Sequence, residues 1–335
     1  MSNNNKYLLL ILFTTATVFF GCKKNVSDDK DKTNKDTLAV VKNDTAISIN
    51  LENPIADEKI ILRFQPEIGT KYVVESNVNM SLDESQDTFK ISYKSKKYGK
   101  VNLKILAKDK ENYKIEFVLV DTRENIKTDT TTIDYQYNKP LADPSADINR
   151  KIEDCLVNSP LTILMTPSGE ALDILGYEAI IAKVKAVVGQ QNIPDQMIAA
   201  QLGTPTEHLE NYFLNYPDTA IKIGDKWTIV TASQMQGVPI TLTNNYTLAD
   251  RKDGIAYINF KVDIAIDKSA IPADVAAKMA NIKFSAYIKG TGEVEEKSGW
   301  PKVIKVTQGV NLSDVYKGHV TTSKQFSSSV IKWIQ

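Results

Sequence analysis

Lys100-Val-Asn-Leu-Lys-Ile-Leu106 and Tyr113-Lys-Ile-Glu-Phe-Val-Leu-Val120 indicate the fold class of this chain, because polar and apolar side chains alternate along both. Such alternation predicts half-buried antiparallel strands, with one face on a core and the other in water. The same pattern returns at Lys226–Thr231 and Ile255–Val262. We therefore expect an α+β fold dominated by an antiparallel sheet, shaped as a curved sheet or half-barrel, with central helices.

Three turn-and-strand landmarks occur twice in the same order along the chain. The pairs are Ile68–Tyr72 with Ile223–Trp227, Leu106-Ala107 with Leu248-Ala249, and Ser168-Gly169 with Ser298-Gly299. Gly69 and Gly224 suit turn positions that need a positive φ, and Asp253-Gly254 is a strong hairpin signal. The landmarks suggest two related β-rich halves, although β proteins also reuse turn chemistry without any duplication.

Helical patterns separate the two halves, in an insertion over about residues 176–216, where apolar residues recur with a period of 3.6. The expected helices are Tyr177–Val188, closed by Gly189; Asp195–Leu202; a third that starts at Thr204-Pro205 and runs to Tyr216 before Pro217; and, within the second half, Pro272–Asn281. Proline at the first helical position and glycine just past the last are typical helix boundaries. The central helices either cover the sheet or form a lid over a pocket.

The N-terminus has the layout of a secretory signal. Lys6 precedes the uncharged, largely apolar stretch Tyr7–Phe20, which is shorter than the roughly 20 residues that a bilayer-spanning helix needs. A short apolar run behind a basic residue and before a small residue is typical of a signal peptide. We therefore assign residues 1–21 to a signal peptide.

Gly21-Cys22 resembles the lipobox that ends a bacterial lipoprotein signal. The resemblance implies that a diacylglycerol is attached to the Cys22 thiol and that the peptide bond before Cys22 is cut. It also implies that the new amino group receives an acyl chain such as palmitate. Phe19 and Phe20 depart from the usual box, and the alternative is an ordinary signal peptide with an incidental cysteine. Two acyl chains are enough for stable membrane anchoring.

Residues 22–57 are expected to be the lipidated Cys22 and a flexible tether. The segment lacks aromatic residues and is rich in Lys, Asp and Asn, so it cannot bury enough apolar surface to offset the entropy of ordering. Ser27–Asp31 resembles the acidic export signal that sends some Bacteroidota lipoproteins to the cell surface, and the alternative is a solvated charged linker. Residues 58–335 then form the β-rich domain.

Several short motifs, added to the lipobox and the tether, resemble a Bacteroidota outer-membrane lipoprotein family of unknown function. They are Ile-Gly-Thr-Lys-Tyr at 68–72, Pro-Ser-Gly-Glu at 167–170, Ile-Gly-Asp-Lys-Trp at 223–227 and Gly-Thr-Gly-Glu at 290–293. The resemblance covers residues 60–316 and implies one β-rich domain with central helices and no established activity. The order of elements is also similar to the lipoprotein-carrier fold, a curved sheet closed by helices around an apolar cavity.

Charge and motif content argue against several function classes. The 41 basic and 41 acidic residues balance, which gives no electrostatic reason to expect a nucleic acid partner. His208 and His319 are far apart in sequence and are expected to be surface residues rather than parts of a triad or zinc site. Cys155 is expected to be a buried free thiol. Glu293 and Glu295 share one strand face, as a glycosidase pair would, but a solvated strand face is the simpler interpretation.

We therefore expect no catalytic residue, no cofactor and no metal site, and lipidation at Cys22. The predicted function is a lipid-anchored outer-membrane lipoprotein, facing the periplasm or the surface, that acts as a non-catalytic binding or interaction module. Its expected partners are the membrane, through the diacylglycerol and acyl chain, and an apolar ligand or an envelope protein. The alternatives are a lipid carrier with an apolar cavity under the helices at 177–216 and a hydrolase built from scattered carboxylates.

Overall fold

The computed structural model describes residues 57–136, 154–188, 212–235, 238–266, 283–316 and 319–334. The strands are β1 (Lys71–Gln86), β2 (Phe89–Asp109), β3 (Asn112–Thr128), β4 (Thr132–Gln136), β5 (Pro160–Met165), β6 (Ala171–Leu175), β7 (Lys226–Met235), β8 (Val238–Lys252), β9 (Ile255–Ile266), β10 (Lys283–Glu295), β11 (Trp300–Tyr316) and β12 (His319–Ile334), and the helix α1 spans Tyr177–Val188. The signal peptide, nearly all of the tether and the expected helices Asp195–Leu202 and Pro272–Asn281 lie outside the described residues.

These twelve strands form one antiparallel sheet in the order β6-β5-β3-β2-β1-β12-β11-β10-β9-β8-β7, and β4 adds to the outer part of β3. The chain starts in the centre with β1 and meanders out to the edge at β6. It then crosses to the opposite edge at β7 and meanders back to β12, which pairs with β1. The predicted antiparallel sheet is therefore confirmed, as a single open sheet whose two edges are β6 and β7.

The sheet is strongly curved, as the contacts of Leu214 with both sides of the sheet demonstrate. Gly169 lies in the β5–β6 turn and Gly292 lies in β10, which are six strand positions apart. In a flat sheet that separation would be about 29 Å. Both glycines nevertheless contact the same residue, Leu214. A Cβ added at Gly169 would clash with the Leu214 carbonyl, and a Cβ added at Gly292 would clash with the Leu214 side chain. The two sides of the sheet therefore approach each other around the segment that carries Leu214.

Two segments outside the strands, 60–66 and 212–217, run through the inside of this curve. The Phe64 N–H donates to the Pro167 carbonyl and the Gln65 N–H donates to the Ser298 carbonyl, each at 2.7 Å. The first segment is thus held between the β5–β6 turn and the β10–β11 turn. The second segment is held by Tyr216, whose hydroxyl donates to the Gly299 carbonyl at 2.7 Å.

The side chains of both segments join strand residues in one aromatic-rich cluster, here called the base core. Trp300 stacks on Tyr72 with ring centroids 3.7 Å apart, and its centroid lies 5.0 Å from that of Phe64. Buried members of the base core include Leu62, Phe64, Tyr72, Val74, Ile105, Ile115, Phe213, Leu214, Tyr216, Leu248, Ile258, Trp300, Ile304 and Trp333. Large aromatic side chains dominate the energetics of such cores, and the base core is the largest buried cluster of the described residues.

The repeated landmarks adopt matching local structures. The Gly69 and Gly224 N–H groups donate to the carbonyls of Ile105 and Leu248, each at 2.8 Å, and both glycines have positive φ, at 87° and 90°. An irregularity in strand pairing follows Ile105 and Leu248 alike. The predicted pairing of Leu106 with Leu248 is therefore wrong by one residue, because Ile105 holds the position equivalent to Leu248.

α1 confirms the predicted helix Tyr177–Val188, but it lies at the β6 edge, and the described residues do not support the expected set of central helices. Its buried side chains Ile180 and Val184 pack with Cys155 and Leu161, and Cys155 is a buried free thiol, as expected. The prediction of a third helix reaching Tyr216 is wrong, because residues 213–217 are not helical. Their aromatic side chains recur at helical spacing by coincidence and are held by contacts with both halves of the sheet.

Candidate functional site: the inner face of the sheet

Alternate residues of a strand lie on the same face of the sheet. The face that carries the base core can therefore be followed along each strand beyond the base core itself. Tyr72 and Val74 lie in the base core, so the even-numbered residues of β1, on to Glu84, lie on the same face. This face is called the inner face, and the opposite one the outer face. Ten residues separate Val74 from Glu84, so the inner face continues for about 33 Å beyond the base core.

One row of paired residues across the inner face changes character halfway along. The row runs through β9, β10, β11, β12, β1 and β2 in that order. Its members are Val262, Ile288, Gln308, Ser327, Met80 and Ser95. The two residues from β9 and β10 are apolar, whereas the residues from β11 and beyond are mostly amides and hydroxyls. The row therefore divides the inner face into an apolar side and a polar side, although the polar side also carries apolar Leu82 and Val310, which both pair with Gln325.

The apolar side, here called the apolar wall, is built by β8, β9 and β10, with one residue from β11. Its members are Ile240, Leu242, Val262 and Ile288, which are buried, and Ile264, Ile266 and Val306, which pack against them half-buried. Register explains the continuity of the wall, because Leu242 pairs with Ile264 and Val262 pairs with Ile288. The members of the wall are all apolar, whereas Asn244, which pairs with Val262, and Thr231, which pairs with Leu242, add polar groups beside it on the same face.

The polar side, here called the polar belt, gathers nearly all the buried polar side chains of the described residues. Its members are Ser76, Glu84, Ser95, Thr122, Gln308, Gln325 and Ser327, and among buried polar or charged residues only Arg251 lies elsewhere. Burying polar groups costs free energy unless they find hydrogen-bond partners. Ser95 has such a partner, since its hydroxyl donates to the Glu124 carboxylate at 2.5 Å.

Two ionisable groups of the polar side have perturbed acidities. Burial raises the pKa of Glu84, and a hydrogen bond of 3.4 Å from the Ser323 hydroxyl opposes that shift in part. Burial likewise raises the pKa of Tyr212, whose phenol lies close to Ser76 and Lys97. Tyr212 therefore places a hydroxyl at the point where the base core meets the polar belt.

The residues considered for catalysis do not assemble into a site within the described part of the chain. Glu293 and Glu295 flank the buried Val294 on one face of β10, as expected, and Glu295 accepts a hydrogen bond from the Ser298 hydroxyl. Burial raises the pKa of the Cys155 thiol, which disfavours the nucleophilic thiolate. His208 lies outside the described residues, and His319 is the first residue of β12. No group of three His, Cys, Asp or Glu side chains in the described ranges is placed to hold a metal ion.

A buried ion pair that sequence reasoning missed fixes the start of the folded domain. The Arg251 guanidinium donates to both carboxylate oxygens of Glu296, each at 2.9 Å, and to the Glu58 carbonyl, also at 2.9 Å. Arg251 is 4% exposed, and the Glu296 carboxylate raises its pKa. No sequence signal identifies this contact, since the three residues are scattered along the chain.

The predicted tether enters the domain at the base core. The Lys222 ammonium donates a hydrogen bond to the Asp57 carboxylate at 2.9 Å, and Ile60 forms an antiparallel bridge with Ile221. Cys22 itself lies outside the described residues. Within the part of the chain that the structure covers, no helix has both the length and the apolar character needed to cross a membrane.

Comparison with known proteins relates the chain to a family whose function is unknown. Residues 110–301, more than half of the chain, match the sequence profile of the family of unknown function DUF6263. No curated protein matches the chain.

Solved structures show only distant similarity. A lipovitellin structure described by its lipid–protein interactions is 13% identical, with a TM-score of 0.42, over 79% of this chain and 25% of its own. The chain thus spans about a quarter of the lipovitellin chain. OccK7 of Pseudomonas aeruginosa is 6% identical, with a TM-score of 0.20, over 79% of this chain and 99% of its own. An outer membrane channel of Pseudomonas putida is 6% identical, with a TM-score of 0.23, over 81% of this chain and 98% of its own. Similarities at these TM-scores carry no argument about function.

Proposed function

The chain belongs to the family of unknown function DUF6263, and we propose that it is a lipid-anchored, non-catalytic lipoprotein that binds an amphiphilic lipid on the inner face of its sheet. The anchor is the diacylglycerol and acyl chain on Cys22, and the location is the outer membrane. The ligand is a molecule with one long apolar chain and one polar head.

The observation that carries the ligand proposal is the contact between the apolar wall and the polar belt. Gln308 pairs with Ile288 on one side and with Ser327 on the other, so the boundary runs along β11. The half-buried members of the apolar wall, such as Ile264 and Ile266, offer apolar surface on which an acyl chain gains free energy by leaving water. The head group of the same molecule forms hydrogen bonds with the amides and hydroxyls of the polar belt. A purely apolar ligand would leave those polar groups without a partner in the ligand.

The layout of the domain is compatible with anchoring at the base. The tether joins the domain beside Arg251 and Lys222, at the end of the sheet filled by the base core. The apolar wall and the polar belt lie farther along the strands. A flexible coil of about 33 residues spans roughly 30 Å, so a lipid on Cys22 leaves the inner face free to face away from the membrane surface.

Anchoring predicts that Cys22→Ala releases the protein from membranes. The variant removes the thiol that would carry the diacylglycerol, and the folded domain supplies no membrane-spanning helix among its described residues. Fractionation of cells that express each form measures the effect, and Cys155→Ala is the control because that thiol is buried in the domain. A Cys22→Ala protein that stays with the membrane would contradict the proposal, as would an intact natural protein whose Cys22 carries no lipid by mass spectrometry.

Ligand binding predicts that the secreted chain with Cys22→Ser binds a dansyl-labelled undecanoic acid, and that Ile264→Asp weakens binding by about tenfold. Ile264 is a half-buried member of the apolar wall, so a carboxylate there places a charge where the acyl chain lies. Val230→Asp is the control, because Val230 is an exposed residue on the outer face of β7. Fluorescence titration measures both variants, and unchanged near-ultraviolet circular dichroism establishes that each is folded.

A second measurement separates a lipid ligand from a protein partner. Solvent extraction of the purified Cys22→Ser protein, followed by mass spectrometry, is expected to yield a lipid in stoichiometric amount. If no lipid is extracted and the labelled acid does not bind, the amphiphile proposal is wrong and an interaction module remains.

A further inference from the structure

The outer face carries a recess of about 200 Å³ that the proposed lipid site does not use. Tyr287 of β10 and Phe326 of β12 flank it, and both rings are unusually exposed for their size, at 39% and 45%. Gly309 of β11 lies between them in the sheet. The Tyr287 ring packs across Gly309, and Phe326 pairs with the same glycine from its other side.

Strand register sets the two rings side by side. Tyr287 pairs with Gly309, and Gly309 pairs with Phe326, so the α-carbons of the two aromatic residues are two strand spacings apart, about 10 Å. A Cβ at Gly309 would clash with the ring of Tyr287. Because Gly309 has no side chain, the Tyr287 ring lies down over the strand instead of standing up from it. The result is a low aromatic platform.

A row of polar side chains runs beside this platform. Asn311, Lys324 and Asp83 are paired across β11, β12 and β1, and they lie two residues, about 7 Å, along the strands from the aromatic row. They present an amide, an ammonium and a carboxylate, which include hydrogen-bond donors and acceptors. Asp83 also accepts a hydrogen bond from the Ser92 hydroxyl at 2.9 Å, which fixes its orientation.

We propose that this recess binds an oligosaccharide of hexopyranose units. A pyranose ring has an apolar face of C–H groups, which packs on an aromatic ring, and a rim of hydroxyls, which needs donors and acceptors in the same plane. The platform supplies the first and the polar row supplies the second. The strands here are interior ones whose main-chain groups are paired on both sides, so a peptide cannot bind by adding a strand.

The test is isothermal titration calorimetry of the full chain carrying Cys22→Ser with three probes: the tetramers of N-acetylglucosamine, of β-1,4-linked glucose and of α-1,4-linked glucose. At least one tetramer is expected to bind. Tyr287→Ala and Phe326→Ala are each expected to weaken that binding by about tenfold or more, whereas Tyr287→Phe retains the ring and most of the affinity. Phe89→Ala is the matched control, since Phe89 is an exposed phenylalanine outside the recess.

Asn311→Ala is a second test that does not depend on the folding of the aromatic variants. Asn311 is an exposed side chain, and its loss removes hydrogen bonds to the sugar. It is expected to weaken binding without changing the melting temperature. The inference is overturned if no tetramer binds at millimolar concentration, or if the binding of a tetramer is unaffected by both Tyr287→Ala and Asn311→Ala. Because the recess and the inner face lie on opposite sides of the sheet, either proposal can fail without the other.

Discussion

Two glycines with positive φ have different reasons to be glycine. Gly69 has a φ of 87° and open space around the position where a Cβ would lie. Gly299 has a φ of 63°, and a Cβ there would clash with the Arg63 carbonyl, because segment 60–66 passes directly against the β10–β11 turn. Gly69 therefore serves only the backbone conformation of its turn, whereas Gly299 also makes room for the segment that fills the base core.

This difference predicts the effects of two alanine substitutions. Gly69→Ala is expected to lower the free energy of unfolding by about 1 kcal/mol, the cost of a left-handed conformation for a residue with a Cβ. Gly299→Ala is expected to cost about 3 kcal/mol or more, because segment 60–66 must also shift. Urea denaturation of both variants measures the costs. If both variants lose the same free energy of unfolding, segment 60–66 does not restrict the space at Gly299.

At the scale of elements, Arg251 joins three parts of the chain that are distant in sequence. It lies near the end of β8, binds Glu296 in the β10–β11 turn and holds the Glu58 carbonyl where the domain begins. Breaking a buried ion pair from one side leaves an uncompensated charge, which is more costly than losing a surface pair. The contact therefore couples the first described residues to the second half of the sheet.

We expect Glu296→Ala to lower the free energy of unfolding by about 3 kcal/mol. The variant removes the bidentate partner of a guanidinium that is almost fully buried, although the exposed Glu58 carboxylate stays 3.6 Å away. Asp218→Ala is the matched control, since Asp218 pairs with Arg63 at the surface, with its side chain 93% exposed, and is expected to change the stability by less than about 1 kcal/mol. Chemical denaturation at neutral pH measures both, and similar small effects would contradict the assigned importance of the buried pair.

The sequence identifies elements whose signal is local. Alternation along Lys100–Leu106 and Tyr113–Val120 predicts β2 and β3 correctly, and the spacing from Tyr177 to Val188 predicts α1. The third helix fails at Phe213 and Tyr216 because their apolar spacing reflects packing between two sheet halves, which no local pattern encodes. The apolar wall and polar belt escape prediction for the same reason, since they exist only through register between strands.

At the scale of the whole molecule, the centre of the sheet is made by the first and last strands. β1 pairs with β12 over 14 residue pairs, from Val73 with Ile334 to Gln86 with Thr321. The two halves suggested by the landmarks are therefore not separate domains, because they share one base core and one uninterrupted hydrogen-bonded sheet. The sequence suggests the two halves through repeated landmarks, but nothing in those landmarks predicts that they join edge to edge.

Hydrogen exchange is expected to follow position in the sheet rather than position in the sequence. Amides of β1 and β12 should exchange most slowly and those of the edge strands β6 and β7 most rapidly, since edge strands open with fewer broken contacts. Mass spectrometry of exchanged, protease-digested protein measures the order. If residues 71–175 and 226–334 instead exchange as two separate units with different rates, the two halves unfold independently and the shared sheet is not cooperative.

The pairing of β1 with β12 also sets the order of events when the chain is made. A ribosome delivers β1 among the first structured residues and β12 among the last, so the central seam cannot close before synthesis is almost complete. Throughout that interval the β1 edge presents unpaired N–H and C=O groups to neighbouring chains. Long-range pairing of this kind forms slowly, so the edge of β1 is the part of the sheet that stays open to other chains for longest.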